Sequence, residues 1–195
     1  MKQRGGSRMA PTESVRHADA ELRLRSMRAA DLGLVRMWLG RPHVARWYLA
    51  GSTLERELDE LRESVAGEQP TQALVALERG RPIGWCQWYL CSDYPDHAAG
   101  VGAEPGDIGL DFAIGDPART GKGVGTRLIA ALIAHIRERR PAAGLIADPE
   151  AANVASRRVL EKNGFRLVRE GAVGSERTAA AMAIYRLAPP SNGGV

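Results

Sequence analysis

The sequence is short of cysteine, phenylalanine and lysine. Cys86 and Cys91 are the only cysteines in 195 residues. No second pair and no histidine stands near them at metal-ligand spacing, which argues against a zinc ribbon or finger. Two free thiols in a reducing, cytoplasmic setting are the expectation, and no metal site is foreseen. No apolar run approaches the ~18–20 residues of a membrane span; the longest candidate, Leu128–Ile136, is broken by a polar residue. Residues 1–20 lack the apolar stretch of a secretory signal and are expected to form a disordered tail, with a second flexible tail at 189–195. Positive charge is also missing where it would matter for nucleic acid. Residues 91–118 carry six acids (Asp93, Asp96, Glu104, Asp107, Asp111, Asp116) and no Lys or Arg. The formal charge of +4 is therefore an average over a basic start and an acidic middle, which a plain nucleic-acid binder does not call for.

What is present suffices for a folded domain: 44% of residues are hydrophobic and 26% charged, and one core-bearing domain over 21–188 is expected. Alternation marks a first strand at Glu21–Met27. Leu32, Val35 and Leu39 form a helical stripe within Ala30–Leu39, broken by Gly40–Arg41–Pro42. A short aromatic piece, His43–Tyr48, follows. Thr53–Ser64 reads as a capped helix with Glu55 and Glu57 in its first turn. Gln72–Glu78 and Ile83–Leu90 read as a hairpin. Ser92–Gly106, rich in Asp, Gly, Pro and Ala, reads as a long loop. Asp107–Gly115 alternates again, Gly123–Arg137 is the clearest helix, and Leu145–Ala147 is a short strand. Ala151–Asn163 is a helix ended by Gly164; Phe165–Val168 and Ala181–Leu187 close the order. The fold class is α/β (α+β), a mixed twisted sheet with helices on its faces.

Between a strand and the best helix lies Asp116–Pro117–Ala118–Arg119–Thr120–Gly121–Lys122–Gly123–Val124–Gly125–Thr126. Alternate glycines free the backbone, and the helix start offers unpaired N–H groups and a positive dipole end. That suits an anion such as phosphate, or it is simply a glycine-rich helix entry. The spacing matches neither the Walker loop nor the dinucleotide fingerprint.

The Thr120–Gly125 segment resembles the coenzyme loop of the GCN5-related N-acetyltransferase (GNAT) superfamily, Gln/Arg-x-x-Gly-x-Gly/Ala. Thr120 replaces the first residue and Arg119 sits one earlier. Asn153-Val154-Ala155-Ser156, running on to Leu160-Glu161-Lys162-Asn163-Gly164-Phe165, resembles a second segment of the superfamily. Many members carry Tyr where Leu160 stands, placed to protonate the leaving thiolate. The resemblance implies the acetyl-CoA N-acyltransferase fold. It implies acetyl-CoA as co-substrate, held by Arg119, Thr120, Gly121, Lys122, Gly123, Val124, Gly125, Thr126 and Asn153. It further implies backbone N–H groups around Ala113 and Ile114 on the thioester, if the strand splays there.

Gly109-Leu110-Asp111 ahead of Gly-Lys-Gly, Asp148-Pro149 ahead of Asn153, and Trp38–Tyr48 are similar to the aminoglycoside 6′-N-acetyltransferases. That similarity implies acetyl transfer to a primary amine of an aminoglycoside-like polyamine by direct attack in a ternary complex, an antibiotic-resistance activity. Amine acetylation needs a deprotonated nucleophile and so a carboxylate to accept or relay a proton. Asp111, on one strand face with Gly109 and Ala113, is poorly explained by packing alone and is the candidate base or relay. Asp148 either helps hold the amine or caps an Asp-Pro turn. Trp38, Trp47, Tyr48 and Trp88, with Asp93 and Asp96, are candidates to line a flat-walled acidic cleft for a polycationic amine; the aromatics can equally pack in the core. The chain is expected to act as a monomer or homodimer. Two alternatives stand beside this reading: acylation of a lysine-derived siderophore precursor, and a non-catalytic CoA-binding sensor.

Overall fold

The computed structural model describes residues 22–173 and 180–190. The tails expected at 1–20 and 189–195 fall outside them, apart from 189 and 190. Seven strands form one sheet in the order β1-β2-β3-β4-β5-β7-β6: β1 (Leu22–Ser26), β2 (Gln72–Glu78), β3 (Arg81–Leu90), β4 (Ile108–Ile114), β5 (Leu145–Ala147), β6 (Arg166–Gly171) and β7 (Met182–Leu187). All neighbours are antiparallel except β4 and β5. The helices are α1 (Leu32–Leu39), α2 (Pro42–Tyr48), α3 (Leu54–Ala66), α4 (Pro95–Val101), α5 (Val124–Arg139) and α6 (Val154–Lys162).

The central strands are apolar on both sides because helices cover both faces. Leu74, Ala76, Cys86, Ile108 and Leu110 face a core completed by Leu128, Leu132 and Leu160 of α5 and α6. Val75, Trp85 and Ala113 face the opposite core, closed by Val35 and Leu39 of α1 and Leu58 and Leu61 of α3. Both cysteines are free and buried. No helix of the described residues is long and apolar enough to cross a membrane.

Two expectations change. His43–Tyr48 belongs to a helix, α2, whose Pro42 sits in the first turn, where a missing N–H costs nothing. Ser92–Gly106 is not one long loop: a 3-10 turn (Cys91–Asp93) leads into α4, which starts on Pro95 and ends at Gly102 with φ 68. Helical periodicity is illegible in so short a segment, Pro-Asp-His-Ala-Ala-Gly-Val, although Pro at the start and Gly at the end are ordinary helix limits.

The sheet opens at its middle. β4 pairs with β5 only at Ile108↔Leu145 and Gly109↔Ile146, yet β4 continues to Ile114. After Ala147 the chain leaves β4 and follows β7 instead, with Ala183 N–H bonded to Pro149 O and Glu150 bridged to Met182. A wedge-shaped gap is left between the second half of β4 and Asp148.

Candidate active site

Ladder alternation decides which groups line the gap. Gly115 N–H bonds to Ile83 O on the β3 side, whereas Ile108 N–H bonds to Gly144 O on the β5 side. Odd residues of β4 therefore turn their amides toward β3, and even residues turn theirs away. Beyond the last β5 pair, the N–H groups of Phe112 and Ile114 point into the opening. This corrects one expected contact: the amide of Ala113 faces Trp85 across the β3 ladder and is not offered to a ligand. His43 Nε2 lies 2.9 Å from Ile114 O, tying α2 to the same spot.

Downstream, Asp116 accepts from Ala118 N–H at 2.9 Å and Thr120 Oγ1 donates to Pro117 O at 2.8 Å. Gly121 and Gly123 adopt left-handed φ of 71° and 73°, a conformation that favours glycine. The loop thus delivers the first turn of α5, whose first ladder bond is Arg127 N–H to Gly123 O. The amides of Val124, Gly125 and Thr126 precede that bond and suit an anion. Lys122 is exposed beside them. Gly125 has a packing reason for being glycine: a Cβ there would stand 3.0 Å from Val159 Cγ2 on α6.

Two residues expected on the coenzyme are committed elsewhere. Arg119 pairs with Glu78 Oε2 at 2.9 Å, and Arg127 with Oε1 of the same carboxylate at 2.6 Å. Glu78 is buried, and a buried carboxylate requires such partners. Asn153 is the N-cap of α6, accepting from Ser156 N–H at 3.1 Å, and is itself buried. Leu160 is fully buried in the core.

On the α1–α3 face of the sheet lies a cavity of about 400 Å³, walled by Glu57 and Glu60 of α3, Trp85, Gln87 and Tyr89 of β3, and His97 of α4. Gln87 Nε2 donates to Asp111 Oδ2 at 3.1 Å, so Asp111 sits at this cavity's edge. Burial first, and the Asp111 charge after it, push Tyr48, Glu57, Tyr89 and Asp148 upward, and the same charge works to raise His97. Burial pushes Asp111 itself upward, against the Gln87 hydrogen bond and the His97 charge. Asp148, at the end of β5, is raised to about 7, first by burial and then by Asp111. His97 Nε2 lies 3.7 Å from Asp148 Oδ1 and 3.2 Å from the Tyr89 hydroxyl, and burial holds the imidazole below its ordinary pKa. The cluster can hold a cation between two carboxylates and move a proton.

The expected acceptor wall is only partly realised. Tyr48 lines the cavity, its ring 5.2 Å from Trp85. Trp38 is 3% exposed and stacks on Trp85 at 6.1 Å; it also lies against Gly115, where a Cβ would meet the indole at 2.1 Å. It is a core residue that shapes the end of β4. Trp47 lies outside the cavity, under the Arg46 guanidinium at 4.3 Å. Trp88 projects from the opposite sheet face toward His135 of α5 and lines a different hollow together with Asp93. Asp96 is exposed on α4 and does not line the cavity. Within the acidic segment, Asp107 is buried on Arg186 at 2.7 Å and Glu104 joins the same guanidinium. Segment charge is a poor guide, because ion pairing and capping consume Glu104, Asp107 and Asp116, half of the six acids, and Asp93 and Asp96 lie outside the cavity.

The cavity's acids come instead from Glu57 and Glu60. In the sequence Glu57 reads as first-turn charge, and its i, i+3 spacing to Glu60 puts the two on one helix face. His97, Gln87 and Tyr89 also join the site. For β3 the signal was strand alternation, which sets Trp85, Gln87 and Tyr89 opposite Trp88. For His97 there was none.

Comparison with known proteins bears on the family and the fold. Residues 28–173 match the family model described as an acetyltransferase (GNAT) domain. The aminoglycoside N(6′)-acetyltransferase type 1 of Klebsiella pneumoniae is 29% identical over 162 residues, covering 82% of this chain and 80% of that protein. The lysine N-acyltransferase MbtK of Mycolicibacterium paratuberculosis is 29% identical over 187 residues, covering 93% and 80%. The crystal structure of aminoglycoside acetyltransferase AAC(6′)-Ib in complex with coenzyme A and kanamycin superposes with a TM-score of 0.74 at 26% identity, covering 86% of this chain and 95% of that one. Beside that match stand, among the described residues, a seven-stranded sheet opened at its parallel β4–β5 pair and a glycine loop at the start of α5: the chain belongs to the GNAT acetyltransferase family and is an N-acetyltransferase.

Proposed function

We propose that the protein transfers the acetyl group of acetyl-CoA to a primary amine of an aminoglycoside-like polycation, a 6′-amino group in particular, by direct attack in a ternary complex. The observation that carries this reading is the convergence of two half-buried carboxyls, Asp111 and Asp148, beside the sheet opening and next to a cavity walled by Glu57 and Glu60. The pyrophosphate of the coenzyme takes the amides at the start of α5. The pantetheine extends along the unpaired edge of β4, and the amide of Phe112 or Ile114 polarises the thioester carbonyl. Asp111 orients the ammonium, and Asp148 balances the charge. The acidic α3 wall receives further ammonium groups of the acceptor.

Incubation with acetyl-CoA and a panel of kanamycin, tobramycin, a 6′-hydroxyl aminoglycoside, lysine and N6-hydroxylysine, following free thiol, tests the proposal. Release with the 6′-amino drugs alone supports it. Release with lysine or N6-hydroxylysine alone transfers the reading to siderophore-type acylation. Coenzyme binding without turnover of any amine refutes catalysis on this acceptor class and favours a sensor.

A further inference from the structure

Acetyl transfer to an ammonium requires the loss of a proton before attack, and the two carboxyls are badly suited to take it. A bound cation pairs with their ionised form, so each serves as a charge partner of the ammonium and not as the acceptor of its proton. One nearby group has an ordinary pKa close to neutrality, the imidazole of His97. It belongs to α4, the helix that replaces an expected loop, and it faces the same cavity.

Its surroundings are built for a proton. Nε2 lies 3.2 Å from the Tyr89 hydroxyl and 3.7 Å from Asp148 Oδ1. The Tyr89 ring lies across Gly109: a Cβ there would be 2.4 Å from the ring and 2.6 Å from its hydroxyl oxygen. The absent side chain lets that hydroxyl settle on β4 beside Asp111, two residues along on the same face. Tyr94 holds the ring edge-on at 5.0 Å. Burial and both carboxylates push the Tyr89 hydroxyl upward, so it passes a proton without keeping a charge. Burial lowers the His97 pKa, and Asp111 works to raise it.

We propose that His97 is the base of the reaction: it takes the acceptor's proton through the Tyr89 hydroxyl, and Asp148 pairs with the imidazolium so formed. The inference rests on the acetyl-transfer reading above. An N–H bond of the ammonium breaks and its proton passes to the Tyr89 oxygen as the tyrosyl proton passes to Nε2. The ammonium becomes an amine and the imidazole an imidazolium. The amine lone pair then forms the C–N bond at the thioester carbon, and the C–S pair leaves on sulfur. The second proton of the nitrogen neutralises the thiolate, and His97 returns its proton to water.

The test uses the full chain, acetyl-CoA and kanamycin, with thiol release followed from pH 5.5 to 9 and acetyl-CoA binding measured by calorimetry. His97→Gln keeps a polar partner for Tyr89 but cannot titrate. Its kcat is expected to fall about 100-fold or more, with KM changed by less than about threefold. The acid limb of the wild-type profile should disappear in His97→Gln and persist in Asp148→Asn, which removes the carboxyl that is itself raised to about 7. His97→Ala should regain rate with millimolar imidazole, and Tyr89→Phe should lose rate while keeping the limb. The proposal is overturned by His97→Gln with wild-type kcat and limb, or by loss of acetyl-CoA binding in step with rate, which marks a merely structural residue. In a wild-type protein that acetylates lysine but no aminoglycoside, the acceptor reading fails, and His97→Gln assayed on lysine supports the base if rate and limb are lost and overturns it if both are kept. One that binds acetyl-CoA and acetylates no amine removes both proposals.

Discussion

Replacing Asp148 with asparagine tests the electrostatics of the site without any substrate. Burial and the neighbouring Asp111 raise the Asp148 carboxyl from 3.8 to about 7, and its side chain is only 13% exposed. For an acid raised on folding, the native state binds more protons than the unfolded chain between those values. Stability therefore falls as pH rises through the window and levels off above about 7. Full ionisation costs about 4 kcal/mol relative to the protonated state; between pH 5 and pH 8 the loss is about 2.5 kcal/mol. Asp148→Asn keeps the shape and removes the charge, so its stability relative to wild type should grow by that amount across the interval. Urea melts of both proteins at half-unit steps of pH measure this, since the shared titrations cancel in the difference. Asp111→Asn provides the control: with one cause of the elevation removed, the wild-type slope should become shallower. A difference between Asp148→Asn and wild type that stays constant within about 0.5 kcal/mol from pH 5 to 8 would refute the reasoning.

Three further outcomes follow from the geometry. Asp111→Asn should lower kcat/KM for a 6′-amino aminoglycoside by about 100-fold or more in steady-state thiol release, with acetyl-CoA affinity unchanged by calorimetry. Glu57→Gln, on the cavity wall, should raise KM for a polycationic acceptor about tenfold, equivalent to about 1.4 kcal/mol, and change that for a monoamine much less; equal effects on both would remove Glu57 from acceptor recognition. Gly125→Val pushes a branched side chain against Val159 at the α5–α6 contact and should cost about 1–3 kcal/mol in thermal or urea unfolding, with weaker acetyl-CoA binding because the first turn of α5 is displaced.

Several parts of this structure were legible residue by residue. Strand alternation is local, so Asp111 could be placed on one face with Gly109 and Ala113, and the opposite core does receive Leu110 and Phe112. Glycine spacing and a helix start are likewise local, which made the loop at 121–125 readable. The aromatic wall was not. Trp38 and Trp88 share a composition with Tyr48, but one stacks in the core and the other faces α5. Arg119 looked free for phosphate until Glu78, remote in sequence, claimed it.

The seven strands, the glycine loop before α5, the family resemblance and the strand position of Asp111 were legible in the sequence by itself, since each depends on backbone periodicity or on short contiguous motifs. Only the tertiary structure decided which acids are available and what surrounds them. Asp107 and Glu104 are consumed by Arg186, Glu57 and Glu60 wall the cavity, and His97 arrives on a helix too short to announce itself. The physical reason is that a charge acts through its distance to other charges and its depth from water, and both are set by chain segments far apart in sequence.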